Sequence, residues 1–191
     1  MAKIKTRDLI LDVALVLFNE EGEPLVTSVD LANEMNISPG NLYYHFKGKE
    51  EVVEELYARF HAGLSYLMDD IQMSDELDED AMLLYLDVIA DYLTDYKFIS
   101  QNISSFCVRY AVLHKPLKNS LVRLHKQLKE FAEALLNSKD SDESLPVATL
   151  LADNLLNTLL NLPGSLGVFN ETAEVDMREH LYLQMLPFMQ T

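Results

Sequence analysis

Residues 37–46 read ISPGNLYYHF, two adjacent tyrosines with an asparagine and a histidine behind Ser-Pro-Gly. Tyrosine hydroxyls, amide groups and the unpaired N–H groups of a helix start are the donors that phosphate and base-edge contacts require. On a wheel of about 100° per residue, Leu42 and Phe46 fall together and face a core, while Tyr44 falls opposite them. Asn41 and His45 flank Tyr44, and Tyr43 lies on the other shoulder. The polar-tipped groups thus form one exposed face. The plainer alternative makes Tyr43 and Tyr44 half-buried rings that only tie a short helix down. Other chemistry is missing from the sequence. There is no Gly-rich phosphate loop, and GSLG at 164–167 is one residue short of a nucleophile elbow. The histidines at 45, 61, 114, 125 and 180 show no metal-ligand spacing with one another or with Cys107. The sequence therefore predicts no enzyme, no cofactor and no metal.

The elements that would hold this face are helical. Strand-type alternation is absent, and apolar residues recur at helical spacing, as in Leu9, Val13, Val16 and Leu17. A first helix is predicted over 5–20, stopping at Glu21-Gly22 with Pro24 just beyond. A short helix follows over 28–35, with Thr27 as N-cap, Asp30 as a weaker capping-box partner and Asn36 as the left-handed stop. A third starts at once, with Ser38 as N-cap and Pro39 at the first helical position. Two short helices joined by so tight a turn make a helix-turn-helix unit. A long helix is predicted over 49–72, then an acidic linker, SDELDED, at 74–80. Further helices are predicted over 80–96, 98–112, 116–137, 146–162 and 174–189. Breaks are expected at HKP 114–116, NSKDSDES 137–144 and PGSLG 163–167.

Charge sets a condition on this reading. The formal net charge is −16 over 191 residues. Residues 1–50 hold five Lys/Arg against eight Asp/Glu; the remainder holds ten against twenty-three. Such a balance repels nucleic acid in bulk, so DNA binding must rest on a local surface, for which Lys3, Lys5, Lys47 and Lys49 are the candidates. Gly40 lets backbone approach a phosphate closely. Cys107 is the only cysteine, which excludes an internal disulfide and suits a reducing cytoplasm. No run approaches the roughly 18 apolar residues of a membrane span.

The run SPGNLYYHFKGKE, with TRDLILDVALVLFNEEG before it, resembles the DNA-binding domain of the TetR/AcrR family of bacterial transcriptional regulators. The resemblance covers about a quarter of the chain. It implies an all-α fold, with a three-helix DNA-binding domain over 1–48 and a larger helical effector-binding and dimerisation domain over 49–191. By the same resemblance Ser38, Gly40, Asn41, Tyr43, Tyr44 and His45 match positions that meet DNA, Lys49 a phosphate-binding lysine and Thr27 a phosphate contact. Lys3, Lys5 and Thr6 would form an N-terminal arm. The turn glycine of the family is Asn36 here. The implied partners are a double-stranded palindromic operator, a second copy of the chain through the last two helices, and a small-molecule effector. The alternative is an all-helical adaptor that keeps the helix-turn-helix for packing only.

Candidate pocket liners are Tyr66, Tyr85, Tyr92, Phe98, Phe106, Tyr110, Phe131 and Asn157, although aromatics at helical spacing more often form core. Asn154, Asn157 and Asn161 make an amide stripe that is a solvated face, a dimer seam or a pocket wall. The basic block HKPLKNSLVRLHKQLK at 114–129 reads as a solvated face, or as an attractor of an anionic effector.

Overall fold

The computed structural model describes residues 6–70, 79–137, 144–169 and 177–189, and among these it contains helices and no strand. Lys3, Lys5 and most of the acidic linker lie outside them. Helix α1 spans Thr6–Leu17 and buries Ile10, Leu11, Ala14 and Leu17. One wider π turn, Phe18–Gly22, continues it. Gly22 ends that turn at φ +87°, where a side chain would be strained. Helix α2 covers Ser28–Glu34 and α3 covers Pro39–His45. Seven-residue helices are too short to persist alone, so their ends and their buried faces must hold them.

Both kinds of support are present. Thr27 and Asp30 form a reciprocal capping box, which fixes Thr27 as the N-cap of α2. Asn36, at φ 53°, takes the left-handed position after α2. Its N–H donates to the Asn33 carbonyl at 2.9 Å and that of Ile37 to the Ala32 carbonyl at 2.9 Å, the paired bonds of a Schellman stop. Ser38 Oγ then accepts the Asn41 N–H at 3.2 Å, with Pro39 opening α3. Leu31, Leu42 and Phe46 are fully buried, each contributing roughly 1.5–3 kcal/mol by leaving water. Helix α4, Lys49–Asp70, is separated from α3 by three residues and supplies the buried Val52, Val53 and Leu56.

The later helices are α5 (Glu79–Asp95), α6 (Lys97–Ser100), α7 (Ile103–Arg109), α8 (Ala111–Asn137), α9 (Ser144–Phe169) and α10 (Met177–Met189). The single helix expected over 98–112 is broken at Gln101-Asn102. On a continuous helix Phe98 and Phe106 would stand about 12 Å apart along the axis; the break brings their ring centroids to 6.1 Å. Two expected stops do not stop the chain. Helix α8 already starts at Ala111 and runs through Pro116, and α9 runs through PGSLG to Phe169. A proline inside a helix removes one hydrogen bond at about 3 kcal/mol, a loss that long helices anchored by leucines can bear. Leu117, Leu124, Leu128, Leu135 and Leu136 anchor α8.

The chain groups into two compact units, Met1–Gly63 with Asp95–His114, and Leu64–Thr94 with Lys115–Thr191. This grouping differs from a division at 48/49. In the first unit, aromatic rings account for it: Phe18 meets Phe98 at 5.4 Å, Phe106 meets Tyr110 at 5.0 Å, and Phe60 meets Tyr96 at 5.4 Å. In the second unit α9 and α10 pack together, with Leu151, Leu155, Leu159, Leu181 and Met185 buried on them, and Gln184 Nε2 donates to Thr158 Oγ1 at 2.6 Å.

Candidate nucleic-acid interface

Helix α3 carries the candidate face as the wheel places it. Leu42 and Phe46 are buried, while Tyr44 is 84% and Tyr43 51% exposed. Asn41 and Gly40 are exposed, and His45 is half-buried with its ring edge-on to Tyr44 at 5.1 Å. The exposure of Tyr44 does not fit a packing residue that ties the helix down, whereas Tyr43 is about half covered. Ser38 is exposed; its oxygen accepts from Asn41 N–H, which leaves its hydroxyl proton for an outside acceptor.

Gly40 is informative because nothing in the protein requires it. A Cβ built there would meet only Ser38 Oγ, at 3.9 Å, and the backbone is helical. A position that the fold leaves free yet fills with glycine suits close approach by an outside group. Gly40→Ala is expected to leave the fold as stable or up to about 1 kcal/mol more stable, since alanine favours the helix. Its DNA affinity is expected to fall. A melting curve together with a DNA titration checks this, and unchanged affinity would remove the close approach.

The expected phosphate contacts are more constrained. Thr27 is exposed, but its hydroxyl donates to Asp30 Oδ2 at 2.6 Å and its N–H to the same oxygen at 2.8 Å. A phosphate at Thr27 must displace that carboxylate. Lys49 is drawn inward. Its Nζ donates to the Glu23 carbonyl at 2.9 Å and lies 3.0 Å from Glu23 Oε1, and its side chain is 19% exposed. Its ammonium is thereby turned to a buried carboxylate rather than outward. Lys47 is exposed, and among the described residues it makes no ion pair. Lys47→Ala is expected to weaken binding to all sequences alike and to lower the salt slope by about one unit. Binding measured from 50 to 200 mM salt checks it.

Glu23 went unnoticed in the sequence, where it looks like one more acid in a turn. It is 2% exposed. Its Oε1 accepts the Tyr110 hydroxyl at 2.5 Å, and its Oε2 accepts Arg109 Nε at 2.9 Å and stands 2.8 Å from Arg109 Nη2. Burial alone would raise its pKa; hydrogen bonds from Tyr110 and Lys49 and the charges of Lys49 and Arg109 outweigh that and hold it below the ordinary carboxylate range. Arg7 was missed as well. A cation in the first turn of a helix opposes the helix dipole, and that unfavourable placement was the signal that carboxylates elsewhere must hold it.

The expected pocket residues are divided between the two units. Phe98, Phe106 and Tyr110 belong to the first unit's aromatic cluster. Phe98 also borders a cleft of about 190 Å³ with Phe18, Asn19, Lys97, Asn102 and Arg109. Tyr66, Tyr85, Tyr92, Phe131 and Asn157 belong to the second unit. There Tyr66 is 66% exposed and Asn157 is exposed. Tyr85 packs edge-on to Phe131 at 5.3 Å and donates to Gln127 Oε1 at 3.2 Å, and burial pushes its hydroxyl up to about 12. Asn154 and Asn161 share the exposed face with Asn157. The basic block is largely paired: Arg123 with Asp69, His125 with Asp153, Lys126 with Glu130 and Lys129 with Glu133. That favours a solvated face over an anion attractor.

Two short helices in a tight turn, the second bearing a rigid exposed polar face, define a helix-turn-helix DNA-binding protein. Residues 10–56 match the sequence model of bacterial regulatory proteins, tetR family. Over 168 residues the chain is 20% identical to the probable HTH-type transcriptional regulator YttP of Bacillus subtilis, covering 84% of this chain and 78% of that one. It is 33% identical over 98 residues to the biofilm operon icaADBC HTH-type negative transcriptional regulator IcaR of Staphylococcus epidermidis, which spans 49% of this chain and 53% of IcaR. A TetR-family transcriptional regulator from Marinobacter aquaeolei has the same fold, with a TM-score of 0.77 at 23% identity over 97% of this chain and 91% of that one. Residues 10–56 are thus similar to the DNA-binding region of tetR-family regulators, and the whole chain has the fold of such regulators.

Proposed function

We propose that this chain is a cytoplasmic repressor that binds a palindromic operator as a homodimer and leaves it when a small molecule binds. The carrying observation is the face of α3. Asn41, Tyr43 and Tyr44 project from a helix fixed by buried Leu42 and Phe46, and their exposure gives an outside partner access. The name of IcaR, a negative regulator, supports repression rather than activation. The adaptor reading needs α3 for packing, which the exposure of Tyr44 does not support. Residues 1–48 would make the DNA contacts, and 49–191 would pair the subunits through α9 and α10 and hold the effector. In the second unit Tyr85 and Phe131, with the Gln127 amide that joins the Tyr85 hydroxyl to the Met68 carbonyl, would be the effector contacts. No described helix is long and apolar enough to cross a membrane.

A gel shift of the purified protein with its own upstream intergenic DNA tests the reading. Retention of that duplex in the presence of a large excess of random DNA is expected. Equal competition by both duplexes would count against an operator-binding function.

A further inference from the structure

The geometry points to Arg7 as the positioning residue that sets the angle of the DNA-reading helix. This rests on the operator-binding reading above. Helix α3 has seven residues, and its last carbonyls have no partner within it. Arg7 comes from α1, thirty-eight residues earlier, and its Nη1 donates to the carbonyl of His45, the last residue of α3. The guanidinium carbon lies 4.0 Å from the centroid of the Phe46 ring, the residue that closes the helix. Nε and Nη2 form a fork on Glu55 of α4, with Nε 3.3 Å from Oε1, and Nη2 stands 3.6 Å from Glu51. One planar group therefore ties the end of α3 to α1 and to α4 at once. Only arginine has this set of donors together with a flat face for a ring.

The companion clasp makes the distinction sharp. Arg59 of α4 binds Asp8 at 3.0 Å and Asp12 at 2.9 Å on α1. It fastens α1 to α4 as well. The bond of Arg7 to the His45 carbonyl carries that fastening on to the end of α3. Tyr43, Tyr44 and His45 occupy the last turn of α3, so a small rotation of that turn moves them against a groove.

Arg7→Lys keeps the charge and removes the fork and the flat face. It is expected to lower affinity for an operator duplex, selected from a randomised pool, at least tenfold. Affinity for a random duplex of equal length and its salt slope should stay within twofold. Glu55→Gln keeps the Arg7 bond to His45 and should cost less than threefold on either duplex. Parallel losses on both duplexes for Arg7→Lys, or an equal loss for Glu55→Gln, would overturn the proposal in favour of plain α1–α4 fastening. Amide exchange in the DNA-free protein separates this from the operator reading. The amides of Tyr43–Phe46 should exchange at least tenfold faster in Arg7→Lys, with those of Leu11–Leu17 unchanged; equal rates would also overturn it.

Discussion

Glu23→Ala is expected to destabilise the protein by about 2–4 kcal/mol, the largest effect of any single change at an unremarkable-looking position. Removing one partner from a buried ion pair costs about 3–5 kcal/mol, and here Lys49 and Arg109 recover part of that by reaching water. Tyr110 keeps a buried hydroxyl without its acceptor. A urea titration should move its midpoint with an unchanged slope. The effect also has a definite pH dependence. The folded pKa of Glu23 is lowered, so its contribution is fully present above the unfolded value of about 4.3 and is lost as pH falls through the folded value. The stability gap between wild type and Glu23→Gln should stay constant from pH 6 to 8 and narrow below about pH 4. A gap that persists to pH 3 would mean the carboxylate charge is not what matters.

Asn41→Ala is expected to cost about 1–3 kcal/mol of discrimination for the operator while binding to random DNA barely changes. A side-chain amide that pairs with a base edge carries that much sequence information. Asn41 is exposed, and its backbone N–H donates to Ser38 Oγ, which fixes the helix start that carries it. Melting temperature should not move by more than about a degree or two, because no described side chain depends on that amide. Competition titrations against operator and random duplex measure the split. Equal losses on the two would reassign Asn41 to the backbone of the DNA.

What could be read from the sequence was set by neighbours in the chain. Thr27 with Asp30, Asn36 at positive φ, Ser38 with Pro39, and the buried Leu42–Phe46 pair all depend on residues within four positions of one another. Local rules of capping and periodicity reach that far. Lys49 looked free because its partner lies twenty-six residues earlier, and the partners of Arg7 could not be named because His45, Glu51 and Glu55 come to it only after folding. The split of 98–112 escaped for the same reason. Ring packing of Phe98 and Phe106 in the first unit decides it, and no local propensity at Gln101-Asn102 announces it. The helix through Pro116 shows packing prevailing over a strong local stop signal.

The Glu23 cluster also limits how this protein can be recombined. A chimera that grafts residues 1–48 onto another regulator's body would carry the carboxylate across and leave Arg109 and Tyr110 behind, with Lys49 lost at the seam. The transplanted head would then hold a buried negative charge with no counter-charge, and Phe18 would lose the ring of Phe98. The transferable cassette is discontinuous: residues 6–63 together with 95–114. Substitution at the exposed Asn41 and Tyr44 leaves that cluster untouched, whereas exchange of the whole helix-turn-helix segment has to bring residues 95–114 with it.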